Sequence, residues 1–561
     1  MKKQNSIIAL ILTLALSLAF ISGCSSKVPS SLSPSPITAP AKSDHNSMPY
    51  LYEPTPSVAQ ENADGYWEAP APEQSQDYEL FRAPQEDWRN VPDYNNEEYS
   101  AATESPFIDV SAYPLSTFSA DVDTASYSNM RRYITQGMAP VGVRIEELVN
   151  YFDYAYPAPK PGDEHPFSIT TEIGLCPWEP EHMLAMIGIQ AATLRNSKEI
   201  ANNIVFLIDV SGSMSDYNKL PLVVESMKLM FEQLGENDII SIVTYAGSDR
   251  VIADSIRGSE TQKLNKLADR LTAGGSTAGA RGLTTAYELA TKNYIEGGNN
   301  RVILATDGDF NVGVSSVEGL TRLIEQKRES GIFISVLGYG MYNLKDDMME
   351  AIADNGNGNY AYIDTIEEAK KVLVDEFDST MFTIAKDVKL QVEFNPDTIG
   401  SYRLIGYDTR RLRNEDFNND LKDAGDIGAG HSVTAFYELV PAGRNRNETT
   451  VNPLRYSHTF TTGSDEFLNV SVRYKDPNGY ESKLVEHVAG AEALKRRESD
   501  NYAFASAVVE FGLIITGSRY ADYTTLSSVM SRAGNALGSD TYGLRSEFLE
   551  LVKQYGRIAP R

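Results

Sequence analysis

Two cysteines in 561 residues leave no disulfide framework to organise the chain: Cys24 falls in a leader-like N-terminal segment, and Cys176 in "LCPWEP" then has no partner. Cys176 reads as a buried, inert thiol rather than a reactive one. Positive charge is also in short supply. Lys and Arg number 50 against 77 Asp and Glu, a formal net charge of −27, and no cluster of basic side chains is evident. Binding to a phosphate backbone needs such clusters, which argues against nucleic acid as a partner. The six histidines, His45, His165, His182, His431, His458 and His487, stand in no metal-protease spacing. The nucleophile elbow G-x-S-x-G is missing too, because Ser213 sits in "SGSMS" and Ser276 in "GGSTA", without the final glycine. These absences weigh against a hydrolase, although a triad assembled in space from distant residues stays open. Beyond the N-terminus no apolar run is long enough to span a bilayer; "FGLIITG" is too short.

The N-terminus carries an address. Lys2 and Lys3 precede an apolar run, Ile7 to Phe20, that is too short for a comfortable span and has the layout of a signal sequence. It ends in "ISGC", Ile21 to Cys24, which resembles the bacterial lipobox, where the chain is cut before a cysteine that has received a diacylglyceryl thioether. The resemblance implies a lipoprotein signal peptide over 1–23, lipidation at Cys24, and a membrane-anchored protein of the cell envelope facing outside the cytoplasm. Removing 1–23 takes away two lysines and no acids, which moves the net charge from −27 to −29. Residues 24–106 are rich in Pro, Ser, Ala and acids, as in "SPSPITAP" and "APAPEQSQDYE", with no sustained apolar period. Such a composition cannot offset chain entropy by burial and reads as a tether. Tyrosine-bearing stretches such as "YELFRAP" leave open a docking contact.

An N-terminal extension, 107–160, opens with "STFSADVDTASYSNMRRYITQG", a short strand and then a helix. Asp121 and Asp123 form a D-x-D that phosphotransferring hydrolases also use, but no matching lysine and acid motifs follow, and Asp123 or Thr124 suits a helix N-cap. A second helix is expected over Val143 to Tyr154. From 201 to 384, apolar runs at Ile204 to Asp209, Ile239 to Tyr245, Arg301 to Ala305 and Ile332 to Leu337, and a weaker one at Asn359 to Ile363, alternate with amphipathic stretches such as "KLPLVVESMKLMFEQL". Continuous apolar strands separated by helices imply an α/β fold, a doubly wound, mostly parallel sheet covered on both faces. Ligands of such sheets bind at the carboxyl ends of the strands.

That rule singles out three places. Asp209 ends the first strand, in "FLIDVSGSMSD"; Thr277 in "AGGSTAGA" opens a helix; Asp307 in "ILATDGDFN" ends a later strand. Asp209, Ser211, Ser213, Thr277 and Asp307 can therefore converge as oxygen donors, a set that suits a hard cation, Mg²⁺ first and Mn²⁺ or Ca²⁺ as alternatives. Each residue also has a bland reading: Ser213 and Thr277 as helix caps, Asp307 in a "DG" turn. D-x-S-x-S after a strand, "GGST" before a helix and "TDG" after a later strand, in that order over about Asn203 to Asp378, resemble the von Willebrand factor type A (vWA) domain and its metal-ion-dependent adhesion site. The resemblance implies that these five residues are the metal ligands, with none departing from the pattern. The flanks "SADVDTASYSNMRRYI" and "RIEELVNYFDY" resemble a bacterial family of secreted or lipid-anchored proteins that join this domain to an N-terminal extension and a C-terminal part of unassigned role.

Around the α/β unit, period-two alternation marks strands with one wet face: Phe167, Ile169, Thr171 and Ile173 before it, and Val388, Leu390, Val392 and Phe394, then Leu468, Val470, Val472 and Tyr474, after it. A discontinuous antiparallel β domain over 161–200 and 385–487 is expected, with the α/β unit inserted. Tyr407 to Gly430 reads as an exposed loop. Residues 488–561 form a helical region whose stripes, Phe504, Ala507, Val508 and Phe511, and Leu544, Phe548, Leu551, Val552 and Tyr555, suit core packing. The implied function is non-enzymatic: a lipid-anchored protein whose cation captures an Asp or Glu of a protein partner, in adhesion or complex assembly. The alternative is a metal-stabilised scaffold with no external ligand.

Overall fold

The computed structural model describes Glu97, Tyr99 and residues 104–559, apart from 122, 161, 195–199, 276–278, 309–316, 343, 444–461 and 478. The expected leader, Cys24 as the expected lipidation residue, and most of the expected tether lie outside these residues. The rest of the tether corrects its boundary. Glu97 accepts hydrogen bonds from Arg132 Nη2 at 2.9 Å and Tyr133 Oη at 2.6 Å, and Glu104 pairs with Arg403 at 3.1 Å. Both arginines are buried and need carboxylates, so the folded body begins before residue 107.

The α/β unit is one six-stranded sheet in the spatial order Tyr360–Ile363, Phe333–Tyr339, Asn299–Thr306, Asn202–Asp209, Ile239–Tyr245, Asp249–Arg257. The first five are parallel and the last, which sequence periodicity missed, is an antiparallel edge. All eight residues of Asn202–Asp209 and all eight of Asn299–Thr306 are buried, since helices cover both faces. Full burial on two faces is why these strands read as unbroken apolar runs. The sheet reverses its order between these two central strands. A crevice for ligands opens at such a switch point.

Two antiparallel sheets make the β domain. One runs Ile108–Asp109, Ile399–Ile405, Ser432–Pro441, Met183–Ala191, Phe167–Leu175; the other runs Arg411–Leu412, Leu115–Ser119, Thr383–Phe394, Leu468–Lys475, Ser482–Ala489. Their facing sides share one core, in which Phe118, Leu390 and Val392 meet Ile187, Tyr402 and Tyr437. The N-terminal extension is thus not a separate piece: its two strands complete both sheets. Its helices, Ala125–Thr135 and Ile145–Asn150, the second shorter than expected, join the C-terminal helices Asp500–Thr516, Leu526–Gly534 and Leu544–Ile558 in a third layer. The two C-terminal stripes meet in that layer, where Phe504, Phe511 and Phe548 are fully buried, each worth roughly 1.5–3 kcal/mol over exposure. Ser499 caps the first of these helices by accepting from Tyr502 N at 3.1 Å, and Gly517 ends it at φ +63°, a left-handed turn that favours glycine. Cys176 is buried in the same core, as expected, and burial pushes its thiol pKa well up.

Candidate metal centre

The strand Asn202–Asp209 delivers Asp209, fully buried, to the switch-point edge. The chain then turns into a short 3-10 helix, Gly212–Ser215. Asp209 Oδ1 accepts from Ser211 N at 2.8 Å, which folds the loop back so that Ser211 Oγ and Ser213 Oγ lie 3.0 Å apart. Ser213 does not cap the helix Leu220–Phe231, whose N-cap is Lys219, so its bland reading falls away. The second loop zips onto the first: Gly274 N donates to Val210 O at 2.7 Å and Gly212 N to Gly275 O at 3.1 Å. Thr277 itself lies outside the described residues. Asp307, 1% exposed, follows the strand Asn299–Thr306, and Lys219 Nζ donates to its Oδ2 at 2.8 Å.

The electrostatics suit a cation. Burial pushes the Asp209 carboxyl up to about 6, Ser211 offsets part of this by hydrogen bonding, and the charge of Asp307 adds to it. Asp209 Oδ2 is buried with no well-formed hydrogen bond among the described residues, although the neighbouring Tyr245 phenol helps to hold its charge. An ionised oxygen left so is costly unless a positive group meets it. The oxygen-only set of carboxylates and hydroxyls fits a hard divalent ion. Among the described residues no hydrogen bond joins a histidine to either serine: His182 pairs with Glu438 at 2.5 Å, His165 and His487 face Tyr474 and Thr171, and His431 lines a pocket with Lys371 and Ser379. His45 and His458 lie outside the described residues.

Three family models match the chain. The von Willebrand factor type A domain model matches residues 203–375, a von Willebrand factor model matches 93–186, and the model "Uncharacterized protein YfbK, C-terminal" matches 379–558. The chain is 42% identical over 469 residues to "Uncharacterized protein YfbK" of Escherichia coli (strain K12), covering 81% of this chain and 80% of that protein. The chain belongs to the YfbK family. More distant relatives include inter-alpha-trypsin inhibitor heavy chain H3 of Mesocricetus auratus, 23% identical over 64% of this chain and 36% of its own length. Uncharacterized protein sll0103 of Synechocystis is 25% identical over 33% of this chain and 42% of its own length. Among solved structures, a von Willebrand factor type A protein from Catenulispora acidiphila aligns with a TM-score of 0.38 at 18% identity, over 68% of this chain and 88% of that one.

The vWA domain of this family member is gripped by arginines from outside it, a feature the sequence reading missed. Arg131 bonds Asp364 and reaches Glu368 at 2.7 Å; Arg144 reaches Asp346 at 3.0 Å, Asp347 at 3.1 Å and Glu350 at 3.0 Å. Asp346, Asp347 and Glu350 bring oxygens within 4.8 Å of one another, as a metal site would, but the Arg144 guanidinium already meets all three. Arg410 pairs with Asp121 at 2.7 Å, Asp123 at 3.1 Å, Glu350 at 2.6 Å and Asp354 at 2.5 Å. Of the two candidate helix caps, Thr124 takes the cap position, without a side-chain bond, and Asp123 does not, for its carboxylate accepts from Tyr360 N at 2.9 Å and holds Arg410. Nor is Tyr407 to Gly430 simply an exposed loop, because it carries Arg410 into the seam and adds the strands Arg411–Leu412 and Ile427–Gly428 to the β domain. Lys219 was overlooked for a related reason: a lysine at a helix start reads as solvated, yet this one is 4% exposed.

Proposed function

We propose that this YfbK-family protein is a lipid-anchored component of the cell envelope that recruits a protein partner through a divalent cation in its vWA domain, and that it is not an enzyme. The vWA domain is a domain of protein–protein interaction and adhesion. The observation that carries the reading is Asp209 Oδ2, a buried carboxylate oxygen without a well-formed hydrogen bond among the described residues, at the switch-point edge of the sheet. Asp209, Ser211, Ser213 and Asp307, with Thr277 by its sequence position, are the residues that would hold Mg²⁺, or Mn²⁺ or Ca²⁺. When bound, such an ion supplies a positive coordination position for an external Asp or Glu carboxylate. Asp209 contributes charge, the two serines contribute neutral oxygens, and the zipped backbone of 210–212 and 274–275 keeps them in register.

The test is a pull-down from envelope extract with the wild-type chain, Asp209→Ala and Thr277→Ala, with Mg²⁺ and with chelator. A fixed set of partners recovered by wild type with Mg²⁺ and lost in the variants supports the reading; the same set recovered with chelator present defeats it. The arginine grip on the vWA domain favours a second reading, a metal-stabilised scaffold. That reading predicts that chelation lowers the melting temperature while the pull-down recovers nothing.

A further inference from the structure

Lys219 is the residue of this site that needs an explanation. It precedes the helix Leu220–Phe231, where a positive charge opposes the helix dipole, and it is 4% exposed. Burying an ammonium there is tolerable only because of the carboxylate it meets, Asp307 Oδ2 at 2.8 Å, with the two side chains 5% and 0% exposed. Its stem is held on the other side by Gly340, at φ +80°, where a side-chain carbon would overlap the lysine methylenes. The turn bearing Gly340 is itself pinned, since Gly340 O accepts from Tyr362 Oη at 2.5 Å and Tyr342 N donates to Glu97 at 2.8 Å. The ammonium is thus seated in the site rather than passing near it.

We infer that Lys219 is a built-in counter-ion that competes with the divalent cation for Asp307, so that the cation is held firmly only together with an acidic partner. This rests on the metal reading above. Among the described residues of the site, two carboxylates, Asp209 and Asp307, balance a divalent ion, and the ammonium beside them leaves one positive charge in excess. Like charges a few ångströms apart in a buried site repel strongly. One carboxylate from a partner cancels the excess, which makes cation and partner binding mutually reinforcing.

The experiment is calorimetric titration of the full chain, stripped of metal, with Mg²⁺ alone, for wild type, Lys219→Met, Lys219→Gln and Lys219→Arg. Lys219→Met and Lys219→Gln are expected to bind Mg²⁺ at least tenfold more tightly than wild type, and Lys219→Arg no more tightly. Binding by the neutral variants alone is the limiting form of the same result. If Lys219→Met leaves Asp307 too exposed to repulsion for the metal-free chain to fold, Lys219→Gln, which keeps a donor without the charge, carries the comparison. Wild-type binding that neither neutral variant improves overturns the role of Lys219 and leaves the metal site standing. Absence of Mg²⁺ binding by wild type and every variant overturns both.

Discussion

Glu146 offers a quantitative check on how the third layer is packed. Its carboxyl is 6% exposed, in the first turn of the helix Ile145–Asn150, and crowds Gly406, whose φ of +74° and lack of a side chain make room for it. Burial first, and then the charge of Glu147, push its pKa from 4.5 up to about 7, while its own and Tyr407's backbone N–H groups and Arg144 offset part of the rise. A carboxyl with a raised folded-state pKa binds its proton more tightly folded than unfolded, so its stabilisation is complete below pH 4.5 and is lost as pH rises to about 7. At about 1.36 kcal/mol per pKa unit, the loss across that window is at most roughly 3 kcal/mol. Glu146→Gln keeps the size and the acceptor oxygen but cannot ionise. Its melting temperature should therefore equal that of wild type near pH 4.5 and pull ahead steadily to pH 8, by several degrees. A wild-type-minus-variant difference that stays flat across this range, or a variant that melts lower at pH 8, would refute the reasoning.

Three further outcomes follow. Arg410→Ala strands the carboxylates of Asp121, Asp123, Glu350 and Asp354 and should cost roughly 3–5 kcal/mol, seen as a lower first thermal transition and faster proteolysis. Lys219→Gln should melt at higher temperature with added Mg²⁺, by more than wild type, and adding Asp209→Asn should abolish that shift, because it removes one of two buried carboxylates; an equal shift in the double variant would count against the site. Cys176, 2% exposed and with a raised thiol pKa, should resist iodoacetamide in the native protein and react at once in denaturant; native labelling would contradict its burial.

Periodicity found what is local. The parallel strands were legible because both their faces are buried, and the alternating strand Leu468–Lys475 because only one face is. The edge strand Asp249–Arg257 escaped notice, since its mostly exposed residues carry no apolar period. The strands of the N-terminal extension were visible as strands, yet nothing in their sequence says that Leu115–Ser119 pairs with Thr383–Phe394, far along the chain. Pairing of that kind is decided by which open edge the folded sheet presents.

The same division runs through the site. By itself the sequence determined the residue types and their order: an acid and two alternate hydroxyls ending one strand, and a second acid ending another, with the sheet rule bringing them to one edge. Such local spacing is enough because each loop is short and each strand end fixes it. Only the tertiary structure decided that Lys219 turns inward to Asp307 and that Arg131, Arg144 and Arg410 reach the acids of the vWA domain. A charged side chain looks the same in sequence whether solvated or buried. Its place is set by the carboxylate that distant parts of the chain bring to it, because a buried charge is tolerated only where its counter-charge is already in position.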